Sequence, residues 1–145
     1  MNLLTNDLIQ LDIKIASKDE LFRYLAKQLL DARRITNDLR FYRALVERET
    51  VISTGIGDGI AIPHAKDTSV IFPSLVVLRL KNPLPYESLD QEPVRLIFCI
   101  AMPEAYHKEH LQLLAKVSTV LMNEEHVSHI LNATSKEDII HILGL

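Results

Sequence analysis

The sequence is short of several things, and each shortage narrows what the chain can be. One cysteine, Cys99, rules out an internal disulfide and fits a reducing compartment. It lies in the apolar run Leu96 to Ile100 with only Arg95 as a basic neighbour, which suits a small buried hydrophobe better than a reactive thiol. No apolar run approaches the ~20 residues of a membrane span. The opening residues, Met1 to Asp7, have neither a basic region nor an apolar core, so no secretion signal is expected there. Charge is also sparse in pattern: a net −3 without long runs provides no basic face for nucleic acid. The expectation is a cytoplasmic protein with no nucleic-acid partner and no direct membrane insertion. Its 145 residues, 48% of them apolar, suit one domain, 1–145, with an ordinary core.

Glycine is scarce as well, and its distribution is the first positive signal. Three of the four glycines, Gly55, Gly57 and Gly59, fall in one stretch that ends at Pro63 and His64. Such clustering marks an unusual backbone path or a close approach to another group. Ile60, Ala61 and Ile62 read as a buried strand, and Ile62, preceding a proline, is biased to extended geometry. Pro63 donates no hydrogen bond, so the ladder is expected to stop there, with His64 held stiffly at a sheet edge. The stretch lacks the Gly-Lys-Ser/Thr of a phosphate-binding loop between strand and helix. A histidine at a strand end is also an ordinary core residue, so His64 needs company before it means chemistry.

The rest of the chain alternates helical and extended patterns. A short turn is expected in residues 3–9 and a brief strand over Asp12 to Ala16. Ser17 followed by Glu20 forms a capping-box pattern opening a helix to about Ala32, with Leu21, Tyr24, Leu25, Gln28 and Leu29 on one face. Asn37 can cap a second helix, its stripe read as Leu39, Tyr42, Leu45 and Val46. Ser74 to Leu80 and Pro93 to Met102 are continuous apolar runs, as strands covered on both faces would be. Between them Lys81 to Asp90, with two prolines, reads as a loop. Helices follow from about Lys108 to Asn123, with a stripe of Leu111, Leu114, Ala115, Ser118 and Leu121, then from Glu124 to Leu131 and from a cap at Ser135 to Leu143. The fold class expected is α/β, a three-layer α/β/α sandwich with a small mixed sheet flanked by helices.

Phosphoryl chemistry on histidine needs a nucleophilic imidazole, cations to spread charge and N–H groups to hold oxygens. Candidates for each exist. Arg48 closes the second helix just before the glycines, although a cation at a helix C-terminus also has a plain structural use. His110 opens a later helix, where an N-terminus favours an anion, although a half-buried histidine with one hydrogen bond is the ordinary alternative. The amides around Gly55, Gly57 and Gly59 offer a phosphoryl-binding loop. The i, i+3 pairs His107/His110 and His126/His129 lack a third and fourth ligand, so no metal and no other cofactor is expected.

These residues together resemble one family, the type-2 enzyme IIA domains of the bacterial phosphoenolpyruvate-dependent sugar phosphotransferase system (mannitol, fructose and nitrogen-related branches). The likeness spans nearly the whole chain. It is carried by Arg48-Glu49, by Thr54 through the glycines to Ile62-Pro63-His64, and by Glu109-His110 through Ala115; Tyr86 to Phe98 and Leu121 to Glu125 are most similar to the fructose-type branch. The resemblance implies that His64 takes a phosphoryl group, on Nε2, from phosphohistidine on HPr and passes it to a cysteine of an enzyme IIB domain, with Arg48 and His110 orienting and neutralising it. A regulatory relative of the nitrogen-related type, whose histidine state controls a binding partner, uses the same site. Asp58 departs from the Asn or Gly of many relatives and is expected to face solvent; 104–108 departs too. An apolar docking patch is expected around His64, with Ile56 and Ile60 on the surface and Met102 at the rim. The oligomeric state is left open.

Overall fold

The computed structural model describes residues 2–105 and 107–145, leaving aside the side chains at 107, 109 and 110. Its strands are β1 (Ile9–Ile13), β2 (Gly55–Gly57), β3 (Ile60–Ala61), β4 (His64–Asp67), β5 (Ser74–Leu84) and β6 (Val94–Pro103); its helices are α1 (Lys18–Asp31), α2 (Asp38–Val51), α3 (His107–Leu121), α4 (Glu124–Asn132) and α5 (Lys136–Leu143). A single turn of tighter helix at Asn6–Leu8 precedes β1. One mixed sheet runs β1-β5-β6-β3-β2, with β4 also on β6. The expected α/β architecture of a mixed sheet flanked by helices is what forms.

Local signals account for the helix starts. Ser17 Oγ accepts from the Glu20 N–H, and the Glu20 carboxylate reaches back to the Ala16 N–H. Asn37 Oδ1 accepts from the Arg40 N–H, and Ser135 Oγ from that of Asp138. The sheet centre is legible in composition. Every residue from Ser74 to Leu80 is buried, as are Val94 and Leu96 to Met102, so both faces of β5 and β6 are covered.

Several stripes turn differently from expectation. On α2 the inward residues are Phe41 and Leu45, whereas Leu39 and Val46 are exposed. On α3 they are Leu113, Val117 and Leu121, whereas Leu111 is 67% exposed. In both helices two apolar stripes compete, and the sheet takes only one of them. β5 continues through Pro83 to Leu84, four residues into the expected loop, because exposed Lys81 to Pro83 can remain extended at its outer end before Leu84 pairs with Val94. The first strand forms earlier than expected, at Ile9–Ile13.

The largest departure is at the glycines, which make a hairpin rather than an open loop. β2 and β3 pair antiparallel, with Asp58 (φ 55°) and Gly59 (φ 76°) at the tip. Positive φ at both central residues suits the twist of a tight hairpin, and Asp-Gly is a sequence that tolerates it. Gly55 has a different reason: a Cβ there would lie 2.5 Å from the Glu87 carbonyl oxygen. Pro63 does not end the ladder either. Ile60 and Ala61 pair with Leu96 and Ile97, and His64 to Asp67 pair with Ile100 to Pro103 on the same strand. Pro63 bridges the interval with the group it still has, its carbonyl accepting from the Ile100 N–H at 3.0 Å.

Candidate functional site

The β3–Pro63–β4 path seats His64 as the first residue of β4, half-buried, facing the last turn of α2. Its Nδ1 lies 2.7 Å from the Ile62 carbonyl oxygen, and Arg48 donates from Nε to its Nε2 at 3.2 Å. A guanidinium can only donate, so Nε2 must be the unprotonated nitrogen and Nδ1–H must donate to Ile62. Two neighbours thereby select one tautomer, with the basic lone pair on Nε2. Arg48 also donates from Nη1 to the Ile52 carbonyl at 2.9 Å, closing the end of its own helix. The side chain that meets the His64 ring therefore also closes its own helix.

Arg48 and His64 line an open hollow of about 570 Å³ whose other walls include Ala44, Glu47, Val51, Leu111 and Leu114. Exposed Val51 and Leu111 make its rim apolar. Burial pushes the His64 imidazole below its ordinary value of 6.5; the Ile62 carbonyl and Glu49 act the other way, and the Arg48 charge adds to the lowering. The ring is thus neutral and nucleophilic at pH 7. A lowered value keeps the neutral form populated to more acid pH, so any reaction on Nε2 should hold its rate below pH 6.5, where an ordinary histidine is already half protonated. An NMR titration of His64 with a midpoint above 6.5 would contradict this.

The three glycines stand apart from that hollow among its described lining. Gly55 N–H donates to Ser53 Oγ at 3.2 Å, and the tip amide of Asp58 donates to Asp90 at 2.9 Å. They lie on the hairpin that leads into His64, with loop 87–90 against it. Asp58 is exposed, as expected. Of the expected docking residues only Ile56 is on the surface; Ile60 and Met102 are each 1% exposed, because β3 and β6 are interior strands, and the apolar rim comes from Val51 and Leu111 instead. His110 lies on the first turns of α3, its side chain outside the described residues, as are those of His107 and Glu109; Tyr106 is outside them entirely. Among the described residues no group of three or more His, Cys, Asp or Glu is placed to hold a metal, and no helix is long and apolar enough to cross a membrane. Cys99 is fully buried, and burial drives its thiol far up.

Sequence reasoning missed a network behind Arg48. The Glu49 carboxylate, its side chain 8% exposed, accepts from Lys18 at 2.8 Å, from Thr54 N–H at 3.0 Å and from Thr54 Oγ1 at 2.7 Å. Tyr86 OH lies 2.7 Å from the same hydroxyl, and the Lys18 ammonium sits 4.2 Å over the Tyr86 ring. Burial pushes the Glu49 carboxyl up, but these donors outweigh it and hold it below the usual range. Burial also raises the Tyr86 phenol well above its ordinary value. An acidic residue beside Arg48 and a threonine five residues on were the available signal, with Lys18 and Tyr86 too distant in the chain to be inferred from them.

Comparison with known proteins gives this geometry a context. The family model described as "Phosphoenolpyruvate-dependent sugar phosphotransferase system, EIIA 2" matches residues 2–144. The chain is 40% identical over 142 residues to the fructose-specific EIIABC component of Bacillus subtilis, covering 98% of this chain but only 22% of that relative's length. It is 34% identical over 138 residues to the fructose-specific EIIA component of Haloferax volcanii, covering 95% of this chain and 90% of the relative. Among solved structures, nitrogen regulatory protein IIA-Ntr from Neisseria meningitidis superposes with a TM-score of 0.92 at 29% identity, over 97% of this chain and 96% of the other. The fold also matches, at TM-score 0.83 and 22% identity over 97% and 96% of the chains, in the Escherichia coli complex of enzyme IIA-Mtl with phosphorylated enzyme IIB-Mtl.

Proposed function

Since the chain belongs to the EIIA 2 family of the phosphoenolpyruvate-dependent sugar phosphotransferase system, a family of phosphoryl carriers with fructose- and mannitol-specific members, we propose that His64 Nε2 is its phosphoryl-accepting atom. The carrying observation is the pairing of Arg48 Nε with His64 Nε2 while Nδ1–H is held by Ile62. The donor is phosphohistidine on HPr and the recipient a cysteine of an enzyme IIB domain, in line with the IIA–IIB complex known for the mannitol protein of Escherichia coli. The fructose-named relatives favour a fructose-type system. The buried thiol of Cys99 leaves His64 as the better acceptor.

In the forward step the Nε2 lone pair attacks phosphorus in line as the donor's N–P bond breaks, and that electron pair returns to the donor ring. Nδ1–H remains on the Ile62 carbonyl throughout. Charge in the loose transition state lies on the equatorial phosphoryl oxygens, so the catalytic contribution is positioning and electrostatics. The Arg48 guanidinium, beside the attacking atom, turns its N–H from the ring to one of those oxygens. By resemblance His110 is assigned to a second oxygen. With a histidine on each side the transfer runs readily in both directions, and delivery to a IIB thiolate repeats the displacement with sulfur attacking.

Arg48→Ala should leave a folded protein by circular dichroism with transfer slowed roughly a hundredfold, about 3 kcal/mol of barrier, as when one donor to a developing oxyanion is removed. Loss of the folded signal would instead make the bond to Ile52 the main role of this residue. The 0.92 superposition on IIA-Ntr favours one second reading, in which the His64 phosphoryl state controls a binding partner. Onward movement of label to a IIB domain with sugar phosphorylation selects the transport role. Binding of a regulator only to unphosphorylated chain selects the other.

A further inference from the structure

We propose that Glu49 is a positioning residue for phosphoryl transfer, holding His64 in register with Arg48 through Thr54 and Ile62; this rests on the carrier reading above. Arg48 and Glu49 are consecutive on α2, so their side chains leave the helix about 100° apart, one to the hollow and one to the hairpin. Both grip the same short connection. Arg48 holds the Ile52 carbonyl at 2.9 Å, and Glu49 holds the Thr54 N–H at 3.0 Å.

From Thr54 the hydrogen bonds continue to the ring. The Thr54 carbonyl accepts from the Ile62 N–H at 2.9 Å, and the Ile62 carbonyl faces His64 Nδ1 at 2.7 Å. An unbroken series therefore joins the Glu49 carboxylate to the imidazole, while the neighbouring side chain supplies the guanidinium on its other nitrogen.

The direction of every proton in the network follows from the carboxylate. An ionised carboxylate only accepts, so the Thr54 hydroxyl must donate to Oε2 and Tyr86 must donate to Thr54. Lys18 donates to Oε1, which also receives the Thr54 N–H and lies 3.2 Å from Ser53 Oγ. A glutamine would turn an NH₂ toward one of these donors and break the directionality with little change in shape. Glu49 does not line the hollow among the described residues. Its effect should therefore fall on the rate of transfer and leave the capture of the donor protein unchanged.

The test uses the full chain with phosphoenolpyruvate, enzyme I and HPr. Glu49→Gln should retain the fold and the KM for phospho-HPr while kcat falls about ten- to a hundredfold, the size expected when a reacting group is misplaced by about an ångström. Thr54→Val should move in the same direction, and Thr54→Ser, which keeps the hydroxyl, should recover most of the rate. The His64 Nδ1–H resonance, sheltered from water by the Ile62 bond in the unmodified protein, should broaden in Glu49→Gln and Thr54→Val without any donor present. An unchanged kcat in folded Glu49→Gln overturns the proposal, as does a raised KM at constant kcat. If Glu49→Gln does not fold, equal rates for Thr54→Val and Thr54→Ser overturn it. If neither Glu49→Gln nor Thr54→Val folds, the network serves folding alone and the proposal falls. Failure of the unmodified chain to take label at His64 would overturn the carrier reading, and the resonance would still decide whether Glu49 orders the ring.

Discussion

His64→Ala should take up no label from radiolabelled phosphoenolpyruvate, enzyme I and HPr, whereas Cys99→Ala should take it up like the unmodified chain. The expectation rests on geometry beyond the mere presence of a histidine. One ring nitrogen is committed to Ile62, the other is the acceptor beside Arg48, and the pair opens on a hollow with apolar margins. Removing the ring removes the nucleophile itself, and no rearrangement of Arg48 replaces it, since a guanidinium has no lone pair to offer. Cys99 is the other nucleophile to consider, and it lies at zero exposure within β6 with its ionisation suppressed by burial. Acid-labile, base-stable phosphate should be present on Cys99→Ala and missing from His64→Ala. Label retained on the alanine variant at 64 would end the assignment.

The largest effect on stability should come from Arg79. This residue reads in the sequence as one charge in an apolar strand, and in the fold it is 6% exposed. Its guanidinium donates from Nε and Nη2 to the Asp12 carboxylate, each at 2.9 Å, and from Nη1 to the carbonyls of Ile130, Leu131 and Ala133 at 2.8 to 3.1 Å. It therefore ties β1 and β5 to the end of α4, where the last helix carbonyls run out of intrahelical donors; that of Ile130 also accepts from the Ala133 N–H at 3.3 Å, which leaves Leu131 and Ala133 the more dependent on Arg79. The two halves of this arrangement differ in weight. The Asp12 side chain is 53% exposed, so its ion pair contributes about 1 kcal/mol or less. Carbonyls left buried and unpaired cost roughly 1 to 3 kcal/mol each.

Arg79→Met should accordingly lower stability by about 2 to 4 kcal/mol, mostly from the carbonyls of Leu131 and Ala133, a fall in Tm of about 5 to 10 °C in a domain of this size. Asp12→Asn, which keeps an acceptor and tolerates the φ of 59° at that position, should cost little. The Arg79 hydrogen bond is the main influence holding the Asp12 carboxyl below its ordinary value. That contribution is present above the unfolded carboxylate range and fades as pH falls through the lowered folded value. Equal losses of Tm in the two variants would show that the carbonyl contacts carry no weight.

What could be read ahead of the coordinates was local. Ser17, Asn37 and Ser135 announce helix starts because a cap and the N–H it satisfies lie within a few residues of each other. The β5 and β6 runs announce a covered sheet through continuous apolarity. The hairpin of β2 was harder to see, since Gly55 and Gly57 disfavour a strand and the segment pairs because Asp58 and Gly59 turn the chain onto β3. Long-range groups were harder still. Lys18 and Tyr86 reach the Glu49–Thr54 corner from distant segments, and Arg79 carries no mark of its partners in nearby residues. Apolar residues misled too: Leu111, on a helix with two competing stripes, was read as inward and is exposed, and Ile60, read both as a buried strand residue and as part of a surface patch, is buried in β3.

The Ile62 carbonyl on Nδ1 bears on more than the tautomer. With that nitrogen spoken for, a loaded chain has only one berth for its cargo and one doorway leading to it. On the carrier reading, supplier and recipient must then take turns at the same threshold, so a surplus of either would obstruct the other. Throughput should peak at intermediate ratios of the two partners, with the chain acting as a turnstile between them.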